Sequence, residues 1–261
     1  MEIKQEKSIS SYDRGLLYGD GFFTTAHVQH GQILLWDLHL QRLRTCQQRL
    51  GFSQLDWQSL DKYCKDVCAS TSQGVLKIVV TRGEGGRGYL PPEHATPTVI
   101  VQTSPYPAHY PALHDSGLRL QYAQTKLGHQ PLLAGLKTLN RLEQVLIKQE
   151  TQQYDCDDVL VEDISGNVIE ASVGNLIAMR GGKVYTPTLH NCGILGVYLQ
   201  HLERNNHIQR VDMSRKDLQA MDALFVCNSL MGCIFVRSLG EQLFDLSLAR
   251  KLKSQLESGV L

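Results

Sequence analysis

Neither sign of charge is in excess. Lys and Arg together number 26, Asp and Glu together number 26, and the formal net charge is +0. That balance argues against a protein built around nucleic acid, although it leaves room for a local basic pocket. Long apolar runs are also missing. None approaches the length of a membrane span, and the charged opening at residues 1–7 has no apolar signal core. No nucleic-acid partner and no membrane partner are therefore expected. Cysteine is present but unpatterned: Cys46, Cys64, Cys68, Cys156, Cys192, Cys227 and Cys233 are 7 in number and form no Cys-x-x-Cys. They read as reduced thiols of a cytoplasmic protein. Cys64 and Cys68 lie one helical turn apart without a second ligand pair, so no metal is expected. The chain has no Gly-Lys-Ser/Thr of a P-loop and no Gly-x-Ser-x-Gly of a hydrolase. It has no internal repeat and no low-complexity tail.

What is present is an ordinary globular mixture, 42% hydrophobic and 20% charged, over 261 residues. That length suits one large or two modest domains. Gly19-Asp20-Gly21 is a turn cluster leading into a strand at 22–28. A hairpin turn at 29–32 and a return strand at 33–36 follow. Asp37 opens a helix whose stripe is Leu40, Leu43, Cys46 and Leu50, with Gly51 at its end. Arg42 and Arg49 fall off that stripe, where an arginine is solvated or turned toward an anion. A second helix is expected near 57–70.

The strand at 74–82 runs into Gly83-Glu84-Gly85-Gly86-Arg87-Gly88. This satisfies Gly-x-Gly-x-x-Gly, but Tyr89-Leu90-Pro91-Pro92 follows where a dinucleotide fold needs a helix. The loop is instead expected to hold Arg87 over a pocket. After a strand at 98–103, the Pro-rich and aromatic stretch 105–116 has the composition of a linker between domains 1–104 and 117–261. Strands are expected at 118–122, 158–162, 168–172, 176–179, 184–186 and 221–226. A glycine-rich helix start at 193–197 exposes backbone N–H groups suited to phosphate.

Lys137 sits at the opening of a helix-like run in which Leu139, Leu142 and Leu146 recur at helical spacing. Such a lysine is either a solvated residue on an amphipathic helix, as most lysines are, or one whose desolvation lowers its pKa and makes it a nucleophile able to form a Schiff base; this stretch alone favours the first.

Taken in order, several segments resemble the fold-type IV, branched-chain-aminotransferase-like family of pyridoxal-phosphate (PLP) enzymes. They are Asp13-Arg14 with Tyr18 to Thr25, His39 to Leu43, Arg82 to Tyr89, Tyr106 to Tyr110, Lys137 to Gln144, Ile169-Glu170 with Asn175-Leu176, Gly193 to Val197, and Cys227-Asn228. Each segment alone is weak, whereas their order and spacing together are specific. The Lys137 to Glu143 segment and the Tyr-Pro-Ala-His-Tyr stretch point to the lyase branch. The resemblance implies a two-domain mixed fold, α+β with α/β, and PLP as cofactor. It implies that Lys137 holds PLP as a Schiff base and that Glu170 lies beside the pyridine nitrogen. Arg42 and the N–H groups of Val197 and Tyr198 would then bind the phosphate. A hydroxyl is common near Tyr198 in relatives, and a tyrosine puts that side-chain contact in doubt. Asn228 or Ser229 is implied as a contact to phosphate or substrate. Thr24 or Thr25 would lie near the leaving group, Arg87 on a substrate carboxylate, and Tyr106 or Tyr110 along the pocket. The implied reaction is cleavage of 4-amino-4-deoxychorismate to 4-aminobenzoate and pyruvate, a step toward folate, by a cytoplasmic homodimer. The alternatives are a D-amino acid or branched-chain aminotransferase on the same fold, and a PLP-free binding protein that kept it.

Overall fold

The computed structural model describes residues 2–4 and 9–259; residues 1 and 5–8 of the charged opening lie outside it. The chain divides into two compact units, Met1–Tyr106 with Leu136–Asn140, and Pro107–Gly135 with Arg141–Leu261. Each is described by itself.

The first unit runs β1 (Glu2–Lys4), α1 (Arg14–Tyr18), β2 (Gly21–Gln29), β3 (Gln32–Ile33), α2 (Trp36–Arg49), α3 (Trp57–Cys68), β4 (Gln73–Thr81) and β5 (Thr98–Ser104). Its sheet has the order β1-β5-β4-β2-β3, antiparallel except for the parallel β1–β5 pair. Along β2, Phe22, Thr24, Ala26 and Val28 are buried while Phe23, Thr25 and His27 are half-buried. This is the period-2 signature of a strand with one face on the core. The hairpin turns at His30 (φ 50°) and Gly31 (φ 75°), both left-handed as a tight two-residue turn requires.

Two expectations fail here. The return strand stops at Ile33, because Leu35 adopts φ 53° and swings the chain into α2 at Trp36. The buried stripe of α2 is Leu38, His39, Arg42, Leu43, Cys46 and Gln47, rotated from the apolar one read in the sequence. Arg42 therefore lies on the core face, not off it. The core joins Phe22, Leu43, Leu60, Cys64, Leu76, Ile78 and Leu136. Burying each large apolar side chain there contributes about 1.5–3 kcal/mol.

The second unit runs α4 (Tyr110–Ser116), β6 (Leu118–Tyr122), α5 (Leu142–Glu150), β7 (Asp158–Glu162), β8 (Val168–Ala171), β9 (Asn175–Arg180), β10 (Lys183–Pro187), α6 (Val197–Asn205), β11 (Ile208–Val211), α7 (Arg215–Gln219), β12 (Ala223–Asn228), β13 (Gly232–Leu239), β14 (Gln242–Leu243) and α8 (Leu246–Ser258). The stretch 105–116, read as a linker, is helical from Tyr110 onward, with Pro111 in the first turn where its missing N–H costs nothing.

The strand path β9-β12-β13-β6-β7-β8 returns to β9 through the pair Glu170↔Asn175, closing a barrel. Residues alternate along these strands. Leu176, Ala178, Leu224, Val226, Ile234 and Val236 form one core cluster; Ile177, Met179, Phe225, Cys227, Cys233 and Phe235 form another with α6 and α8. All seven cysteines are free thiols, six of them buried. No helix among the described residues is long and apolar enough to cross a membrane.

Candidate active site

Lys137 belongs to the first unit. It does not open a helix: α5 starts at Leu142, and the segment around Lys137 pairs with β2 through an isolated bridge, Phe22↔Thr138. Leu136 and Thr138 are buried while Lys137 and Leu139 are half-buried, an alternation that belongs to a strand. The cause is hydrogen bonding to β2: Phe23 N–H donates to Lys137 O at 2.9 Å, and Leu139 N–H donates to Gly21 O at 2.9 Å. Pairing sets Lys137 opposite Phe23, and its Nζ lies 4.7 Å from the Phe23 ring centroid. The Lys77 Nζ lies 5.4 Å from the same centroid. Lys77 pairs with Thr25 across β2 and β4, so Thr25, Phe23 and both lysines share one face of the sheet.

Thr24 points the other way. Its Oγ1 lies 2.6 Å from His39 Nδ1 in a fully buried contact. His39 is 0% exposed, and its Nε2 is buried without a hydrogen-bond partner. Burial first, then the charges of Arg42 and Lys137, pull the imidazole down to about 3, so it is neutral at physiological pH. Arg42, one turn along α2, is 9% exposed, and burial lowers its guanidinium to about 10, which leaves it charged.

The Gly-Asp-Gly turn carries a charged hub. Asp20 accepts from Arg14 Nε at 2.9 Å and from Arg82 Nε at 2.8 Å. Burial opposes ionisation of Asp20, but the Arg82 and Arg14 hydrogen bonds outweigh it and hold the carboxyl below its ordinary value. Arg14 also donates to the carbonyls of Gly85, Gly88 and Tyr89, so the glycine-rich loop wraps Arg14. Arg87, expected over a pocket, is exposed on that loop. Tyr106 closes the unit with its ring stacked on His27, centroids 4.4 Å apart.

In the second unit, the strand pair that closes the barrel also organises the approach to α6. Glu170, 6% exposed, accepts from Ile194 N–H at 2.9 Å. Asn175 donates from Nδ2 to Ile194 O at 2.8 Å and accepts from Gly196 N–H at 2.9 Å. Gly196 is needed there because a Cβ would collide with Asn175 Oδ1. No side chain caps α6, so the backbone N–H groups of its first turn, those of Val197 and Tyr198, are open to an anion. The Tyr198 side chain runs elsewhere, its hydroxyl 3.4 Å from Glu257 Oε1, and burial raises its pKa.

Asn228, expected on phosphate or substrate, braces its hairpin instead. Its Oδ1 accepts from Leu230 and Met231 N–H groups, and its Nδ2 donates to Val173 O. Tyr110 hydrogen-bonds to the same side chain, and burial raises its phenol. His129, Asp163 and Cys192 bring three potential metal-ligating atoms within 4.8 Å of one another. Asp163 is already occupied by Ser165 N–H, Asn167 N–H and His129 Nε2, which reads as a braced turn.

Residues 21–239 match the family described as amino-transferase class IV. The chain belongs to the aminotransferase class IV family. It is 36% identical to an aminodeoxychorismate lyase of Vibrio harveyi, over 84% of this chain and 83% of that one. Its fold matches a 4-amino-4-deoxychorismate lyase of Pseudomonas aeruginosa at TM-score 0.89, with 40% identity over 97% of this chain and 96% of that one. The branched-chain amino acid aminotransferase of Escherichia coli shares the fold at TM-score 0.86, with 18% identity over 97% of this chain and 88% of that one. The expected fold-type IV architecture is thus the observed one.

Within this class IV chain, two other lysines, Lys126 and Lys183, are less enclosed than Lys137. Lys126 is 44% exposed beside Glu162, and Lys183 is exposed at the start of β10. Three residues carried no role in the sequence reading: Lys77, His39 and Asn175. Lys77 interrupts the apolar run of β4, a signal visible in the sequence. His39 and Asn175 lie inside recognisable segments, but their partners are remote in the chain.

Proposed function

We propose that the chain is a PLP-dependent carbon–oxygen lyase that converts 4-amino-4-deoxychorismate to 4-aminobenzoate and pyruvate. The observation that carries the reading is the 40% identity to the Pseudomonas aeruginosa lyase over 97% of the chain.

The residues present fit the cofactor. A partly enclosed lysine, a buried arginine, a buried carboxylate and an uncapped helix start provide an amine, a phosphate partner, a pyridinium partner and backbone donors. The buried, unpartnered His39 Nε2 adds a polar atom beside the arginine. Bound PLP supplies an electron sink for the carbon next to the substrate nitrogen.

The protein's own residues do the rest. Lys137 Nζ holds the cofactor and takes the proton from the carbon bearing the substrate amine. Its position over Phe23 limits hydration and keeps the amine reactive. Glu170, its carboxylate fixed by Ile194 N–H, would meet the pyridine nitrogen and keep it protonated. Arg42 and the N–H groups of Val197 and Tyr198 would hold the phosphate. The enolpyruvyl C–O bond breaks, the ring becomes aromatic, and the released enol takes up a proton to become pyruvate. Aromatisation makes the reaction downhill without a second keto acid.

Lys77 shares the face of Lys137 and offers a cation to a substrate carboxylate, alongside the exposed Arg87. Thr25, on that face, is a closer candidate for the leaving group than Thr24. Tyr106 and Tyr110 are assigned to the pocket wall, and Asn228 to support of Tyr110. The enzyme works as a cytoplasmic homodimer in this reading; a monomer with full activity in sedimentation at micromolar concentration would remove the dimer.

The test is pyruvate release from 4-amino-4-deoxychorismate by PLP-loaded protein with no keto acid added. Release over many turnovers, matched by 4-aminobenzoate, is expected. No release, with amine transfer to an added keto acid, would make the chain an aminotransferase.

A further inference from the structure

The cofactor assignment places two demands on the first unit. Lys137 must meet one end of PLP and Arg42 the other, at a fixed spacing. The two residues come from different elements. Lys137 is held by β2 through the Phe23 N–H bond and the Phe22↔Thr138 bridge. Arg42 rides on α2, on the same buried face as His39 one turn earlier. Apolar packing joins the two elements, and a buried side-chain hydrogen bond ties them at this level, that of His39 Nδ1 with Thr24 Oγ1 at 2.6 Å, one residue along β2 from Phe23.

We propose that the buried His39–Thr24 hydrogen bond sets the spacing between Lys137 and Arg42, making His39 a positioning residue for the phosphate end of the cofactor. This rests on the PLP reading above. Stability alone does not explain an imidazole at this point. Its Nε2 is buried with no hydrogen-bond partner, a cost that a leucine of similar size avoids. Acid–base chemistry does not explain it either. The ring is fully buried and held neutral by its surroundings, with the cations Arg42 and Lys137 facing it and no carboxylate among the groups that act on it. Neutrality has a use here. A third positive charge beside Lys137 and Arg42 would repel both, whereas a neutral ring spaces them without adding charge.

The experiment compares two ligands that differ only in the phosphate, PLP and pyridoxal. Dissociation constants are measured on stripped protein for wild type, His39→Leu, Thr24→Val, the double variant and His39→Asn. The Asn amide keeps a hydrogen-bonding atom near the Nδ1 position. His39→Leu and Thr24→Val are expected to weaken PLP about tenfold each, the size of one buried hydrogen bond, and pyridoxal less than about twofold. The double variant is expected to lose no more than the worse single one, and His39→Asn to bind PLP within about threefold of wild type. Equal losses for PLP and pyridoxal would overturn the proposal, because a merely structural role weakens both alike. So would additive losses, or a His39→Asn variant as weak as His39→Leu. Wild-type protein that takes up no PLP would overturn the cofactor reading itself, and this inference with it.

Discussion

Two polar clusters of the first unit solve the problem of burying charge in opposite ways. Around Asp20, the hydrogen bonds are satisfied: one carboxylate meets two guanidinium groups, and further guanidinium hydrogens reach the carbonyls of Leu50, Gly51, Gly85, Gly88 and Tyr89. Around His39, a buried polar atom is left over. Arg42 and Lys137 act on a neutral imidazole whose outer nitrogen has no hydrogen-bond partner. The first cluster is complete in its hydrogen bonds and knits α1, the Gly-Asp-Gly turn, the end of α2 and the glycine-rich loop. The second leaves His39 Nε2 buried with no hydrogen-bond partner. Completeness marks architecture, and its lack marks a site.

The sharpest way to test this division is to remove the reactive amine. Lys137→Ala is expected to lose at least about 10³-fold in kcat while unfolding within a few degrees of wild type. Borohydride reduction of loaded wild type, followed by peptide mapping, should find the pyridoxyl group on Lys137. Finding it on Lys126 or Lys183 would break the assignment. Asp20→Asn should do the reverse, costing about 2–4 kcal/mol of stability because it leaves two buried guanidinium groups under-matched. Per folded molecule, its kcat should stay within about threefold of wild type. A comparable loss of kcat at Asp20 would erase the distinction between the clusters.

A smaller effect separates the two exposed cations. Lys77→Ala is expected to raise KM about tenfold with kcat changed less, as removal of a substrate carboxylate contact does. Arg87→Ala, measured alongside, shows whether the second carboxylate is held from the loop. The smallest effects are in the pH dependence of stability, where the clusters differ in sign of charge but not of slope. Asp20 has a depressed carboxyl, so its contribution is full above its ordinary value of 3.8 and lost as pH falls through the folded value. His39 is depressed from 6.5 to about 3, so its contribution is full above 6.5 and declines toward 3, as the unfolded ring alone takes up a proton. His39→Asn should flatten the stability profile between about pH 6.5 and 4, and Asp20→Asn should flatten it only below about 4. Urea denaturation across pH reads both.

Much of the fold was legible because strand period and turn chemistry are local. The strands at 118–122 and 158–162 coincide with β6 and β7, while 168–172 overruns β8 by one residue and 176–179 falls one residue short of β9 at each end. Lys137 was found, but its setting was misread. Leu139, Leu142 and Leu146 do recur at helical spacing, yet the first lies on a strand-like segment and the other two are exposed on α5. The backbone of Phe23 and Gly21, more than a hundred residues away, decides that conformation, and no local window contains it. Arg42 was missed as a core residue because its polarity argued for solvent. Its neighbour on the buried face, His39, is polar too and does not show as apolar periodicity. Asn175 was quoted but given no task, because that task is to clamp Ile194 and Gly196, about twenty residues on.

The alternation along β2 has a consequence for how such a chain can change length. Phe22 and Thr24 face the core, while Phe23 and Thr25 face the lysines. Deleting or inserting one residue anywhere between Gly21 and Val28 would exchange the two sets at every position beyond it, sending the hydroxyl of Thr24 outward and a phenyl ring into the place beside His39. Beyond Val28 the chain turns through His30 and Gly31, whose N–H groups donate to Ser72 O and Thr71 O, so the turn too is tied to the segment that enters β4. Among descendants of this sequence, residues 21–28 are bound to a fixed count, however freely their identities drift.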